Sequence, residues 1–156
     1  MSMLESGIAA PDFELLNQNG DTVKLSSFKG KQNVVVYFYP KASTPGCTTQ
    51  ACGIRDTKQD FIDSNTVVLG LSPDPVDKIK KFVDKQGLNF DLLSDDNHKV
   101  ADQYGVWQLK KFMGKEYMGI VRSTFIVNKD GDICHVFSKV KTKSHHDDVL
   151  SVLKSL

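Results

Sequence analysis

The stretch Asn33 to Asp56, NVVVYFYPKASTPGCTTQACGIRD, constrains this chain more than any other. It opens with a near-continuous apolar run, Val34 to Tyr39, rich in β-branched and aromatic residues. Such a run reads as a strand buried on both faces. Pro40 stops it, because proline has no N–H for the ladder. Thr44 is a good N-cap and Pro45 suits the first helical position, where a missing donor costs nothing. Cys47 therefore falls in the first turn of a helix that leaves the C-terminal end of a central strand. Crevices at that end of an open α/β sheet are where ligands bind. A thiol there faces free N–H groups and the positive end of the helix dipole, and both favour the reactive thiolate.

Around this stretch the chain alternates strand and helix signals. Asp12 to Leu16 and Thr22 to Leu25 flank Asn17-Gln18-Asn19-Gly20-Asp21, which is turn chemistry and predicts an N-terminal hairpin. Ser26 to Lys31 is a connection with a helical turn. The cysteine helix is expected to run to Ser64-Asn65. Thr66 to Ser72 is a second buried strand, which completes a parallel βαβ unit. Asp74 and Pro75 are read as the cap and first residue of a helix over Val76 to Gln86. Its apolar positions Val76, Ile79, Phe82 and Val83 form one face, and Gly87 ends it.

A short strand, Phe90 to Leu93, and a short helix, Asn97 to Tyr104, follow. Val106 to Tyr117 is Lys-rich and reads as a loop or edge strand. Ser123 to Asn128 and Asp132 to Ser138 flank a hairpin turn at Lys129-Asp130-Gly131. Ser144 caps a last helix with Val149, Leu150, Val152, Leu153 and Leu156 on its apolar face. This order of hairpin, βαβ and ββα units predicts an α/β fold, a thioredoxin-like sandwich with an N-terminal β-hairpin extension. Residues 1–156 form a single domain, with no linker, repeat or low-complexity segment.

The bulk properties exclude several functions. A chain of 156 residues with 40% hydrophobic and 25% charged residues can build one real core. A net charge of +1 gives no argument for nucleic acid or an anionic membrane. No apolar run approaches the roughly 20 residues that span a bilayer. MSMLESGIAAPDF lacks the pattern of a signal peptide, so a cytoplasmic location is the expectation. Three cysteines in a reducing compartment point to catalysis, metal binding or burial rather than a permanent disulfide framework.

The pattern Pro40-x-x-x-Thr44-x-x-Cys47 resembles the active-site signature of peroxiredoxins. The longer string PKASTPGCTTQACGIRD is similar to the bacterioferritin comigratory protein, or peroxiredoxin Q, branch. APDFELLNQNG, YGVWQLKKFMGKEYMGIVRSTFIVNKDG and the closing helix extend the resemblance over nearly the whole chain. It implies a three-layer thioredoxin-like fold and a thiol peroxidase acting on hydrogen peroxide and organic hydroperoxides. Cys47 would attack the peroxide, and Cys52 would resolve the sulfenic acid as an intramolecular disulfide. A thioredoxin-like protein would reduce that disulfide. The resemblance gives Thr44 a contact to the thiolate and peroxide, and Pro40 a role in shielding the sulfur from water. It places Arg122 beside the sulfur. It implies a monomer, with no metal, haem or flavin.

If Cys47 pairs with Cys52, the helix must open. Five residues on an α-helix give about 7.5 Å of rise and put the two Cα atoms roughly 8–9 Å apart. A disulfide needs them within about 7 Å. Gly46 and Gly53 weaken the helix near both cysteines.

Other residues are read as follows. The chain has eighteen lysines and two arginines, Arg55 and Arg122. An arginine before a predicted core strand suggests a need for fork geometry and permanent charge, against the alternative of a solvated strand end. Arg55 is read as a helix-surface ion pair. Gln50 stands where many relatives carry glutamate, which leaves open what partners Arg122. Cys134 is read as a packed strand residue. His145 and His146, adjacent on a helix, are read as solvated. Two rival functions are a thiol–disulfide oxidoreductase, which normally uses Cys-x-x-Cys, and a non-enzymatic binding module. A zinc site would need about four ligands, and no second Cys/His cluster is present.

Overall fold

A computed structural model of the chain describes residues 3–156. Its centre is β3 (Asn33–Phe38), the apolar run that the sequence marks most strongly. A strand with no polar side can only be satisfied inside a sheet covered on both faces. β3 pairs parallel with β4 (Thr66–Ser72), Val35 opposite Val68. It pairs antiparallel with β8 (Ser123–Val127), Val36 opposite Phe125. The hairpin β1 (Glu14–Asn17) and β2 (Thr22–Lys24), with β5 (Asp91–Ser94) and β9 (Ile133–Phe137), completes seven strands in the order β2-β1-β5-β4-β3-β8-β9.

The two-residue period of β3 splits its side chains between two cores. Val35 and Tyr37, with Tyr39 just beyond the strand, pack under Ala51 and Ile54 of α1 (Pro45–Asp56), Phe82 of α3 (Val76–Gln86) and Val149 of α5 (His145–Lys154). Val34, Val36 and Phe38 face Val100 of α4 (Lys99–Gln103), Tyr104 and Phe13. Asp95 caps α4, accepting from the backbone N–H groups of Val100 at 3.1 Å and Ala101 at 2.8 Å. The result is the expected three-layer α/β sandwich, and among the described residues no helix is long and apolar enough to cross a membrane.

Several sequence-based expectations need correction. The cysteine helix does not run unbroken to Ser64. It ends at Asp56 and resumes as α2 (Lys58–Asp63). At the junction the Thr57 hydroxyl donates to the Gly53 carbonyl at 2.8 Å, the kind of local bond that competes with helix continuation. Asp74 does not cap α3, whose N-cap position is Pro75. Its carboxylate instead accepts from Ala42 N–H at 2.7 Å and Ser72 Oγ at 2.9 Å. Of the two alternatives for Val106 to Tyr117, a loop or an edge strand, the structure takes strand, although not at the edge of the main sheet. β6 (Trp107–Phe112) and β7 (Lys115–Ile120) form a separate antiparallel hairpin. Its turn is Met113-Gly114, at φ 51° and 78°. The tight hairpin turn needs φ > 0 at both residues, and Met113 disguises that signal. Leu156 is exposed rather than on the apolar face of α5.

Gly70 shows how tightly the upper core is filled. A Cβ there would lie 2.7 Å from Tyr37 Cζ and 2.8 Å from Leu92 Cδ2. Both neighbours are fully buried and cannot swing into solvent. Gly70→Ala is therefore expected to destabilise the protein by about 1–3 kcal/mol through overpacking. Urea unfolding reads this directly; an unchanged midpoint would mean that the Tyr37 ring has room to move.

Candidate active site

The site is built where β3 ends. Tyr39 N–H still donates to the Leu71 carbonyl at 3.1 Å, as a last rung of pairing with β4. Half-buried Pro40 follows and the chain leaves the sheet. The loop then passes Ala42, pinned by Asp74, and Ser43, a non-glycine residue at φ 65°. That left-handed turn re-aims the backbone into α1. Thr44 occupies the N-cap position and its carbonyl accepts from Thr48 N–H at 2.9 Å. Its hydroxyl does not cap the helix, contrary to the sequence-based expectation. It donates to the Lys41 carbonyl at 2.9 Å, which leaves its oxygen as an acceptor toward other groups.

Cys47 lies in the first turn of α1 and is 2% exposed. Arg122, in the short link between β7 and β8, reaches it from the opposite side of the site. Arg122 Nη2 donates to Cys47 Sγ at 3.2 Å, and Nη1 donates to Gln50 Oε1 at 2.6 Å. The fork geometry expected of an arginine at this position is thus used by two acceptors on one helix face. A permanent cation within hydrogen-bonding distance of the sulfur is suited to stabilise charge that develops there during a reaction. Gln50, read as a departure from an acidic residue, supplies the acceptor through its amide oxygen.

The other thiols sit elsewhere. Cys52 is half-buried and its Sγ lies 3.7 Å from Gln86 Oε1 at the end of α3. It faces a different neighbour from Cys47. The second half of α1 is tied to that corner twice more, and the start of α2 once. Arg55 Nη1 donates to the Gln86 carbonyl at 2.5 Å, Asn89 Nδ2 to the Arg55 carbonyl at 3.1 Å, and Lys58 Nζ to the Asn89 carbonyl. Arg55 also pairs with Asp56 at 2.9 Å, so it is more than the surface ion pair first expected. Cys134 donates to the Ile126 carbonyl at 3.4 Å, and burial pushes its thiol up. That environment favours the neutral thiol over the nucleophile.

The histidine pair is not solvated as expected. His145 is 2% exposed and lies between Gln50 and Thr124, and His146 is packed where a Cβ on Gly53 would have to sit. Two adjacent helical residues are both covered because α5 crosses α1 there. Nothing in the local pattern announced that crossing, although Gly53, a poor helix former, marks the close approach. Among the described residues no group of three or more His, Cys, Asp or Glu side chains is gathered for a metal.

Burial pushes His145 down to about 4 from its ordinary 6.5, with His146 and Arg122 acting the same way and Asp148 opposing them. Between those two values the unfolded chain takes up a proton that the folded protein refuses. Stability is therefore fully present above pH 6.5 and falls as pH drops toward 4, by roughly 3 kcal/mol in all. Burial raises Asp95, which works in the opposite direction, so a difference measurement is needed. Denaturant unfolding at pH 7 and pH 4 is expected to show a smaller acid loss in His145→Phe than in the native chain. Equal losses would place the acid sensitivity elsewhere.

Comparisons with known proteins identify the family. Residues 6–136 match the AhpC/TSA family. The chain is 51% identical over 154 residues to peroxiredoxin Bcp of Escherichia coli, covering 99% of this chain and 98% of the relative. It is 50% identical over 153 residues to peroxiredoxin Bcp of Bacillus subtilis, covering 98% and 97%. The solved structure of Xanthomonas campestris peroxiredoxin Q superposes with a TM-score of 0.90 at 34% identity, covering 97% of this chain and 98% of that one. The chain therefore belongs to the AhpC/TSA family, in its Bcp and peroxiredoxin Q branch, and is a thiol-dependent peroxidase.

Proposed function

We propose that Cys47 is the peroxidatic nucleophile, Arg122 its cationic partner and Cys52 the resolving thiol. The observation that carries this reading is the 3.2 Å contact from Arg122 Nη2 to Cys47 Sγ at the start of α1. The thiolate attacks one oxygen of the peroxide, the O–O bond breaks, and the electron pair leaves on the other oxygen. The products are a sulfenic acid on Cys47 and an alkoxide or hydroxide, which takes a proton from solvent. Arg122 faces the sulfur where charge departs and, with a donor fork, suits both the sulfur and the reacting oxygens. The Thr44 oxygen, its proton committed to Lys41, is an acceptor for the O–H of the incoming peroxide. Pro40 supports the site as a ring without an N–H that limits water around the sulfur.

In the second step the Cys52 thiol attacks the sulfenic sulfur and displaces water, leaving a Cys47–Cys52 disulfide. A thioredoxin-like dithiol protein returns both thiols at the cost of its own oxidation. The two cysteines sit on one intact helix and face different neighbours, so α1 must unwind at its first turns for the bond to form. The substrates are hydrogen peroxide and organic hydroperoxides. In support of the latter, alkyl peroxide reduction is described for the bacterioferritin comigratory protein of Xanthomonas campestris, 34% identical to this chain. Three free thiols suit a reducing cytoplasm, and we take the working unit as a monomer.

Peroxide turnover with a thioredoxin system tests these assignments. Cys47→Ser is expected to fall to background, while Cys134→Ser keeps most of the rate. In Cys52→Ser, peroxide should add one oxygen to the protein mass instead of removing two hydrogens. Turnover surviving in Cys47→Ser, or lost equally in Cys134→Ser, would overturn the assignment.

A further inference from the structure

Arginine has only donors, so the Gln50 atom 2.6 Å from Arg122 Nη1 is the amide oxygen. That fixes the other end of the side chain. The Gln50 amide nitrogen faces His145 Nδ1 at 3.2 Å, and an amide nitrogen can only donate. His145 Nδ1 must therefore carry the lone pair. The imidazole proton then sits on Nε2, which lies 2.7 Å from Thr124 Oγ1 and donates to it. The three residues are fully enclosed, with Gln50 0%, His145 2% and Thr124 0% exposed. A continuous chain of hydrogen bonds runs from Thr124 on β8, through His145 on α5 and Gln50 on α1, to Arg122 and the Cys47 sulfur.

We propose that His145 is a positioning residue for peroxide reduction: it locks the Gln50 amide in the one orientation that presents an oxygen to Arg122 and so holds the guanidinium on Cys47. The inference rests on the roles of Cys47 and Arg122 proposed above. A buried glutamine has two amide orientations of nearly equal shape. The flipped one would turn an NH₂ group toward a guanidinium, donor against donor, and Arg122 would lose its anchor. A carboxylate at this position would present oxygen either way, so only glutamine needs an orienting partner. A neutral, single-tautomer imidazole is that partner. Burial keeps it neutral against Asp148, while Arg122 and His146 act with burial, and the Tyr37 ring packs at 5.6 Å between centroids.

The test is a double-variant cycle on the single-turnover rate of Cys47 oxidation by hydrogen peroxide at pH 7. His145→Phe keeps an aromatic ring against Tyr37 and removes both nitrogens. In the native background it is expected to slow oxidation by about tenfold or more, while in the Gln50→Glu background the same change costs less than about threefold. Equal losses in both backgrounds would make His145 a packing residue only, and no loss would dismiss it. A second readout needs no variant and no activity. Nitrogen-15 spectra of the histidine side chains should show His145 protonated on Nε2 and bare on Nδ1, assigned through its contact with the Gln50 amide. A proton on Nδ1 would overturn the proposal whatever the rates. If instead Cys47→Ser retained turnover, the reading of the site would fail while the tautomer stood.

Discussion

One guanidinium holds this site together. Arg122 donates to Cys47 Sγ and Gln50 Oε1 at once, and both acceptors sit one helical turn apart on α1. The contact joins the start of α1 to the link between β7 and β8, so it depends on the sheet being complete. β8 must pair with β3 for Arg122 to lie opposite the helix that β3 launches. The sandwich, the apolar β3 and the exit at Pro40 all serve to bring these two segments face to face. A hydrogen bond from a cation is worth most where water is scarce, and Cys47 and Gln50 are both buried.

The same helix is anchored unevenly. Its second half is tied to the end of α3 and the turn beyond it through Cys52, Arg55, Gln86 and Asn89. Its first turn has no side-chain cap from Thr44 and is held through Arg122. Oxidation of the sulfur changes the group that Arg122 grips. On the proposed mechanism, chemistry at Cys47 thus loosens the part of α1 with the least other support. A two-state helix start, folded around a reduced sulfur and open around an oxidised one, would reconcile the proposed nucleophile with the proposed disulfide, which the intact helix forbids.

Much of this was legible in the residues. The both-faces-apolar period of Val34 to Tyr39, the Pro40 stop and the Thr44-Pro45 helix start were local signals, and the structure follows them. The rarity of arginine narrowed the candidate cations to two, and the family resemblance put Arg122 beside the sulfur before any contact was visible. What escaped was tertiary. Asp74 has the sequence look of a helix cap, yet it pins Ala42, a contact between segments about thirty residues apart. His145 reads as a polar residue at a helix start, and only the crossing of α5 over α1 buries it. Met113 hid a hairpin because a methionine at positive φ carries no turn signal of its own. Gln50 looked like a missing charge, because its value as an acceptor depends on which way an amide faces.

On the proposed mechanism Cys47 is built into a helix start that opens when the sulfur is oxidised. Hydrogen exchange over residues 44–56, in reduced protein and in protein oxidised by one equivalent of peroxide, tests it most directly. Protection in the first turns of α1 should be present in the reduced form and lost in the oxidised form, with residues of β3 unchanged. Equal protection of the segment in both forms, alongside a confirmed Cys47–Cys52 bond, would mean that α1 does not open on oxidation.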